Sequence, residues 1–347
     1  MSSPTQQQSP QVSGTGAGKV GEVRARAPKR PLYRRVFGAS EFGIIATFLF
    51  LIAVISVFNP SFFRLNALTN IGEQAAFYGI IALGMVFLLS MREIDLSVGS
   101  LYGLSVVVAA VSIRAGLDPW LAAIVCILVG IAGGALNGIL SNLLRIPSII
   151  ITLGTLSVFK GLTLVISGSQ TVSGMPREHP FFTILGADFL EIPMIIWAFA
   201  LLTAIMAIVY KRTRFGFIVR AIGSNPDAAR LTGISLEKTR LFALMLIGGL
   251  AGVCGVFTLA FFESADPGLG GGFEILVIAA AIIGGTTLAG GVGSVVGAAF
   301  GALTIGAIRS GLVQFGITSE WTQFATGVVI IGAVALDTFI RIRNKRS

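Results

Sequence analysis

Five charged residues, Glu73, Lys160, Glu274, Arg309 and Asp337, stand in or at the ends of apolar runs. A charge at the centre of a membrane helix costs about 2.5–3.5 kcal/mol on insertion scales, so such residues usually face protein or water. Arg309 and Asp337 lie near run ends and can reach an interface. Lys160 and Glu274 are candidates for an internal pair or for a cavity wall, and a purely structural pair between helices is an equal reading. Little else is suited to reactive chemistry. The one histidine, His179, sits in a polar loop as an ordinary surface residue, and Cys126 and Cys254 lie in apolar runs as small hydrophobes. No Ser-His or Cys-His arrangement and no cluster with metal-ligand spacing is present. Two glycine-rich stretches imitate nucleotide loops. Gly14-Thr15-Gly16-Ala17-Gly18-Lys19 lacks a Ser or Thr after the lysine, and no strand precedes Gly16–Gly21. The sequence predicts no catalytic residue, no metal and no cofactor, and hence no enzyme.

The elements around these residues must be membrane spans. Of 347 residues, 54% are hydrophobic and 12% charged, and the mean hydropathy is +0.88. Soluble domains carry about 25% charged residues, and a core large enough to hide this apolar excess would split into domains. The 44 glycines fit membrane helices, where glycine is frequent. Spanning a core about 30 Å thick takes about 20 apolar residues per helix. Apolar runs of that scale fall near 42–58, 72–90, 98–114, 119–143, 148–167, 193–210, 241–262, 273–289, 292–310 and 322–340. The expected fold is all-α and polytopic, with about ten transmembrane helices. The run 273–289 is short, interrupted by Gly284-Gly285 and followed by Gly290-Gly291, so it reads as a full span or as a re-entrant or broken helix.

Charge sets the orientation. With both termini cytoplasmic, the inside segments collect 20 of the 25 Lys and Arg: seven in the N-terminal tail, Arg92, Arg145, seven in 211–240 and four at the C-terminus. The outside loops hold only Arg64, Arg114 and Arg177, together with seven acids. This asymmetry follows the positive-inside rule, so the net charge of +9 need not imply nucleic acid. Three regions result: a disordered basic cytoplasmic tail at 1–41, a membrane domain at 42–340 with a cytoplasmic loop at 211–240, and a basic cytoplasmic end at 341–347. Residues 1–35, rich in Ser, Gln, Gly and Pro, do not read as a cleavable signal peptide.

The loop 211–240 contains a short capped helix. Asn225 or Ser224 can cap it, Pro226 suits its first position, Asp227 favours its positive end, and Gly233 suits its C-terminus. A helix of about two turns is expected at 226–232, presenting Ala228, Ala229 and Leu231. It could dock in a partner's cleft, or be an interfacial turn beside anionic headgroups.

Segment 220–236 resembles the cytoplasmic coupling loop of permease subunits of ATP-binding-cassette sugar importers. The nearest group is the ribose, xylose, arabinose and rhamnose type, which is related to branched-chain amino-acid permeases. Ile94-Asp95-Leu96-Ser97-Val98-Gly99-Ser100, Ile151-Thr152-Leu153-Gly154-Thr155-Leu156 and Gly284–Gly293 match that family in order and spacing, over about residues 45–340. The sequence departs from it at Arg92-Glu93, where small residues are common, and at Ser224, where glycine is.

The resemblance implies a multi-pass protein of the bacterial inner membrane. Its partners would be cytoplasmic ATP-binding subunits, a second permease copy or paralogue, and a periplasmic sugar-binding protein that delivers a monosaccharide or polyol. It implies alternating access, with Asn225, Pro226, Asp227, Ala228, Ala229, Arg230, Leu231 and Gly233 coupling to the ATPase. The absence of a GxxxxGK[ST] loop agrees with hydrolysis on a separate subunit. A sugar pathway would use groups that exchange hydrogen bonds with hydroxyls: Gln74, Asn137, Thr152 and Thr155, together with Asp95 and Glu274. Asp95 or Ser97 can instead cap the helix starting near Val98, and Ser, Thr and Asn also bind membrane helices together. Two alternatives remain open: an ion-coupled secondary transporter using Glu73 and Glu274, and a membrane-anchored nucleic-acid or lipid binder using the basic tail.

Overall fold

The apolar runs fold into helices whose lengths differ in an informative way. The computed structural model describes residues 39–318 and seven positions between 321 and 332. The tail up to residue 38, most of the expected span 322–340, and Asp337 with the basic C-terminus lie outside the described residues. The elements are α1 (Ala39–Phe58), a 3-10 turn (Pro60–Phe63), α2 (Leu65–Ser90), α3 (Val98–Arg114), α4 (Pro119–Leu144), α5 (Ser148–Ser167) and α6 (Pro180–Leu185). A hairpin of β1 (Asp188–Phe189) and β2 (Ile192–Pro193) follows. Then come α7 (Met194–Arg212), α8 (Arg214–Ser224), α9 (Pro226–Leu231), α10 (Leu236–Phe262), α11 (Phe273–Ile283) and α12 (Val295–Gln314).

Six helices, α2, α4, α5, α7, α10 and α12, are long and apolar enough to cross a bilayer, and the apolar helices Phe42–Phe58, α3 and α11 are shorter. The protein is therefore a mostly helical polytopic membrane protein. The hairpin, pairing Asp188 with Pro193 and Phe189 with Ile192, is the only named sheet among the described residues.

Helix α2 is the axis, with 89% of its apolar window buried against 22% for α5 and for α7. It is wrapped by α7, α10, α11 and α12. The outer helices turn apolar residues outward, including Ile150, Leu153 and Val165 on α5 and Leu201 and Ile208 on α7. In water that surface would be unfavourable by about 25 cal/mol per Å², whereas lipid or a second apolar subunit covers it without that penalty.

Helices α4 and α10 approach through glycines spaced four apart. A Cβ on Gly130 would strike the Gly248 carbonyl, one on Gly134 the Leu244 carbonyl, and one on Gly252 would lie 2.6 Å from the Ile127 Cα. Backbone contact at this range lets two helices gain dispersion over a long seam, as small-residue motifs do in membranes.

Contacts sort the loops into two ends. At one end, Arg92 reaches Gly223 and Ser224, Arg240 reaches Glu93 and Asn142, and the Gly291 N–H donates to the Ser90 carbonyl. At the other end, Arg177 pairs with Glu263 at 2.6 Å, Thr171 bonds Asp266, and Val172 bridges Ala265. His179 is more than a surface residue: its Nδ1 caps α6 by accepting from the Phe181 N–H, and its Nε2 lies 3.4 Å from Asp118.

Candidate functional site

Two non-helical segments enter the bundle from opposite ends and are each followed by a helix. The first is 91–97, leading into α3. Its Asp95 lies beside Asn137 and Thr155, each seven residues inside the end of its helix, or about 10 Å at 1.5 Å per residue. The second is 263–272, leading into α11. Here the Lys160 ammonium, also seven residues inside α5, donates to the Pro267 carbonyl at 2.7 Å. The Phe273 ring meets Tyr78, near the midpoint of α2, and stacks on Tyr102 at 5.4 Å.

The second segment meets the start of α3, where Gly99 abuts the Gly270 carbonyl. A Cβ on Gly99 would lie 2.6 Å from a Glu274 carboxylate oxygen. Helix α11, at eleven residues, is about 16 Å long, half the apolar thickness. The run 273–289 is thus a half-height helix completed by a non-helical segment, a form allowed where protein covers the backbone.

Four of the six polar candidates gather in one place. Asp95 Oδ1 accepts from the Ser97 N–H at 2.8 Å and the Ser97 hydroxyl at 2.7 Å. The Asn137 amide donates to Ser97 Oγ at 2.8 Å, and Thr155 donates to Asn137 Oδ1 at 2.7 Å. Thr152 Oγ1 accepts from the Leu96 N–H at 3.1 Å. Asp95, Asn137 and Thr152 have no exposed surface. Of the two expected caps of α3, Ser97 makes no side-chain cap bond, and Asp95 accepts from the Ser97 backbone N–H at the helix start. Asp95 Oδ2 is buried without a partner.

The other two candidates stand apart: Gln74 is exposed and Glu274 half-buried. The internal Lys160–Glu274 pair does not form; the Lys160 ammonium donates to the Pro267 carbonyl instead. Since the Asn137 side chain joins Ser97 to Thr155, Asn137→Ala should remove two buried hydrogen bonds from the network. Such a loss costs about 1–3 kcal/mol. A lower melting temperature in detergent is expected, and an unchanged one would show that the network adds no stability.

The loop 211–240 is more structured than expected. Thr213 caps α8, a helix where the residue pattern predicts loop. Helix α8 is anchored by Phe215 stacked on Phe87 at 5.7 Å and by Arg220, which donates to the Tyr210 carbonyl at 2.7 Å. Helix α9 follows as expected: Asn225 Oδ1 accepts from the Ala228 N–H at 3.0 Å, Pro226 opens the helix and Asp227 sits in its first turn. The helix ends at Leu231, one residue early, and Gly233 follows at φ +82°.

Ala229 is buried in the chain's own core, Ala228 is exposed, and Leu231 is 90% exposed. Phe217 on α8 is also exposed, beside a cavity of about 420 Å³ lined by Arg212, Arg214 and Ile234. On the other side of α9, a polar cavity of about 690 Å³ is lined by Arg92, Glu93, Arg145, Arg230 and Arg240. Charge composition signalled this face, but α8 gave no comparable cue in the sequence.

A broken span such as α11, whose half-height helix starts inside the bundle, together with a capped helix displayed at one end, is the architecture of a membrane transport protein. The chain belongs to the family described as branched-chain amino acid transport system / permease component, whose profile matches residues 67–334. That family comprises transport permeases rather than enzymes. The chain is 32% identical over 315 residues to the autoinducer 2 import system permease protein LsrC of Yersinia enterocolitica, covering 91% of this chain and 87% of that protein. It is 35% identical over 287 residues to the ribose import permease protein RbsC of Bacillus subtilis, covering 83% and 89%. It is also 35% identical over 291 residues to RbsC of Escherichia coli K12, covering 83% and 91%. No solved structure matches.

Proposed function

We propose that this chain is the membrane-spanning subunit of an ATP-driven importer of a monosaccharide or related polyol, working by alternating access. The observation that carries the reading is α9, a capped helix at the basic end of the bundle. It turns Leu231 and Ala228 outward and is fixed to the spans on both sides. A ribose or autoinducer 2 import role among the relatives supports the substrate class.

In this reading the α8–α9 end is cytoplasmic, and both termini share that side. The bundle has ten spans, counting the half-height α11 with its entering segment and the run 322–340. The tail expected at 1–41 ends earlier, because α1 already begins at Ala39; the permease domain runs from there to 340, with 341–347 a basic end. The subunit pairs with a second permease copy, two ATP-binding subunits and a periplasmic sugar-binding protein in a bacterial inner membrane. ATP can bias the two openings only if they differ in contact with the ATPase, which α8 and α9 provide. Among the polar candidates, Glu274 lines the pathway where α11 meets the start of α3, and Gln74 lies nearer its outer mouth. Asp95, Asn137, Thr152 and Thr155 bond one another and hold α3 behind it.

Purification tests this reading. The chain expressed with its ATP-binding subunit should yield a stable complex whose ATP hydrolysis rises with sugar-loaded binding protein. Sugar uptake into proteoliposomes holding this chain alone, driven by an ion gradient, would overturn the reading in favour of a secondary transporter.

A further inference from the structure

Arg92 and Glu93 are consecutive, and they reach opposite flanks of α9. The Arg92 Nε donates to the Gly223 carbonyl at 2.9 Å and its Nη2 to the Ser224 carbonyl at 3.3 Å. Both carbonyls belong to the last turn of α8, directly before the capping Asn225. Glu93 Oε1 accepts from Arg240 Nε at 2.7 Å and Nη2 at 2.6 Å. Arg240 lies in the second turn of α10, just after α9. The remaining groups are also fixed: Ser148 donates to Glu93 Oε2 at 2.6 Å, Arg240 Nη1 to Asn142 at 3.2 Å, and Asn142 to the Glu237 carbonyl at 2.8 Å.

The Glu93 and Arg240 side chains are only 14% and 21% exposed, against 75% and 32% for Arg177 and Glu263 at the opposite end. The shielded pair is less screened by salt, and its carboxylate oxygen accepts from two guanidinium nitrogens. Two residues beyond Glu93, Asp95 is locked into the Ser97–Asn137–Thr155 network. So short a stretch of chain has little slack to absorb displacement.

We propose that Arg92 and Glu93 are positioning residues that tether both flanks of α9 to the segment 91–97, so that movement of α9 is passed to the start of α3 inside the membrane. This rests on the ATPase-coupled reading above. A displaced α9 would carry Gly223, Ser224 and Arg240 with it, and these draw on consecutive residues of one segment. Without the tether, α9 could follow the ATPase while the start of α3 stays put.

The test uses the full complex with its ATP-binding subunit and binding protein in proteoliposomes, recording sugar uptake and ATP hydrolysis in parallel. For Glu93→Gln and for Arg240→Gln, sugar moved per ATP should fall about tenfold or more, within the range of typical coupling free energies, while stimulated hydrolysis persists. The exchange Glu93→Arg with Arg240→Glu should recover part of that ratio. Arg92→Lys keeps the charge but loses the two-carbonyl grip, so it should lower the same ratio, and it carries the test if the Glu93 variants fail to assemble. A ratio equal to the parent's in any assembled variant of these residues, or an exchange no better than either single change, overturns the tether. If the parent complex itself shows no ATP-coupled uptake, the functional reading falls and the tether with it. A coupled parent with indifferent variants removes the tether alone.

Discussion

Leu231→Asp should strip the ATP-binding subunit from the permease and abolish ATP-driven uptake while leaving the bundle folded. Leu231 is 90% exposed on a six-residue helix, so its removal takes nothing from the chain's own core. In a docked complex the same side chain would be buried, a contribution of about 1.5–3 kcal/mol. An aspartate there would also require a charge to be desolvated at the interface. Loss of such an anchor lowers affinity by tenfold for every 1.4 kcal/mol. Ala228→Glu, on the same exposed side, should act in the same direction. Ala229 is a poorer probe, because it is 5% exposed and packs on the core, so a charge there damages the permease itself. The measurement is the yield of ATP-binding subunit co-purified with tagged permease, beside uptake in vesicles. A Leu231→Asp complex of normal stoichiometry and normal uptake would remove α9 from the coupling role.

What the sequence shows of this site follows how local each feature is. Asn225, Pro226 and Asp227 announce α9 because capping acts within one turn, and the structure places that cap as the residue types require. Helix α8 escapes the same reading. Its basic residues look like solvated loop until Phe215 stacks on Phe87 and Arg220 reaches Tyr210, contacts that no local pattern encodes.

Lys160 and Glu274 invite pairing because they are opposite charges in apolar runs. In the structure Lys160 instead donates to the carbonyl of Pro267, in a non-helical segment far along the chain. That segment in turn exists through Gly99 meeting Gly270, residues far apart in sequence. Residue types therefore identify the polar network of Asp95, Asn137 and Thr155, but its internal bonding, and Gln74 standing outside it, depend on tertiary packing. Charge asymmetry is legible for a related reason: it depends on counting along the chain, and loops assigned to one side do meet at one end.

Gly134→Leu should prevent accumulation of folded protein, the largest stability effect expected from a single change. The neighbour of Gly134 is the Leu244 carbonyl of α10, and backbone cannot rotate away as a flexible side chain can. Extra methylenes in a packed core typically cost about 1–3 kcal/mol when neighbours can repack. Here the helices must separate instead, which also pulls Gly130 from Gly248 and Ile127 from Gly252 along the same seam. Gly134→Ala should already lower the melting temperature in detergent. Gly161→Ala makes the opposite case. A Cβ at Gly161 meets nothing within 4 Å, and alanine is favoured over glycine in a helix by about 1 kcal/mol. That variant should melt at or above the parent temperature. Monodispersity on size exclusion and thermal unfolding of the three variants decide the matter, and a Gly134→Leu protein that elutes and melts like the parent would refute the seam. Glycine abundance cannot distinguish these positions. Both lie in membrane helices, and only the distance to the opposing backbone separates a glycine the fold requires from one it tolerates.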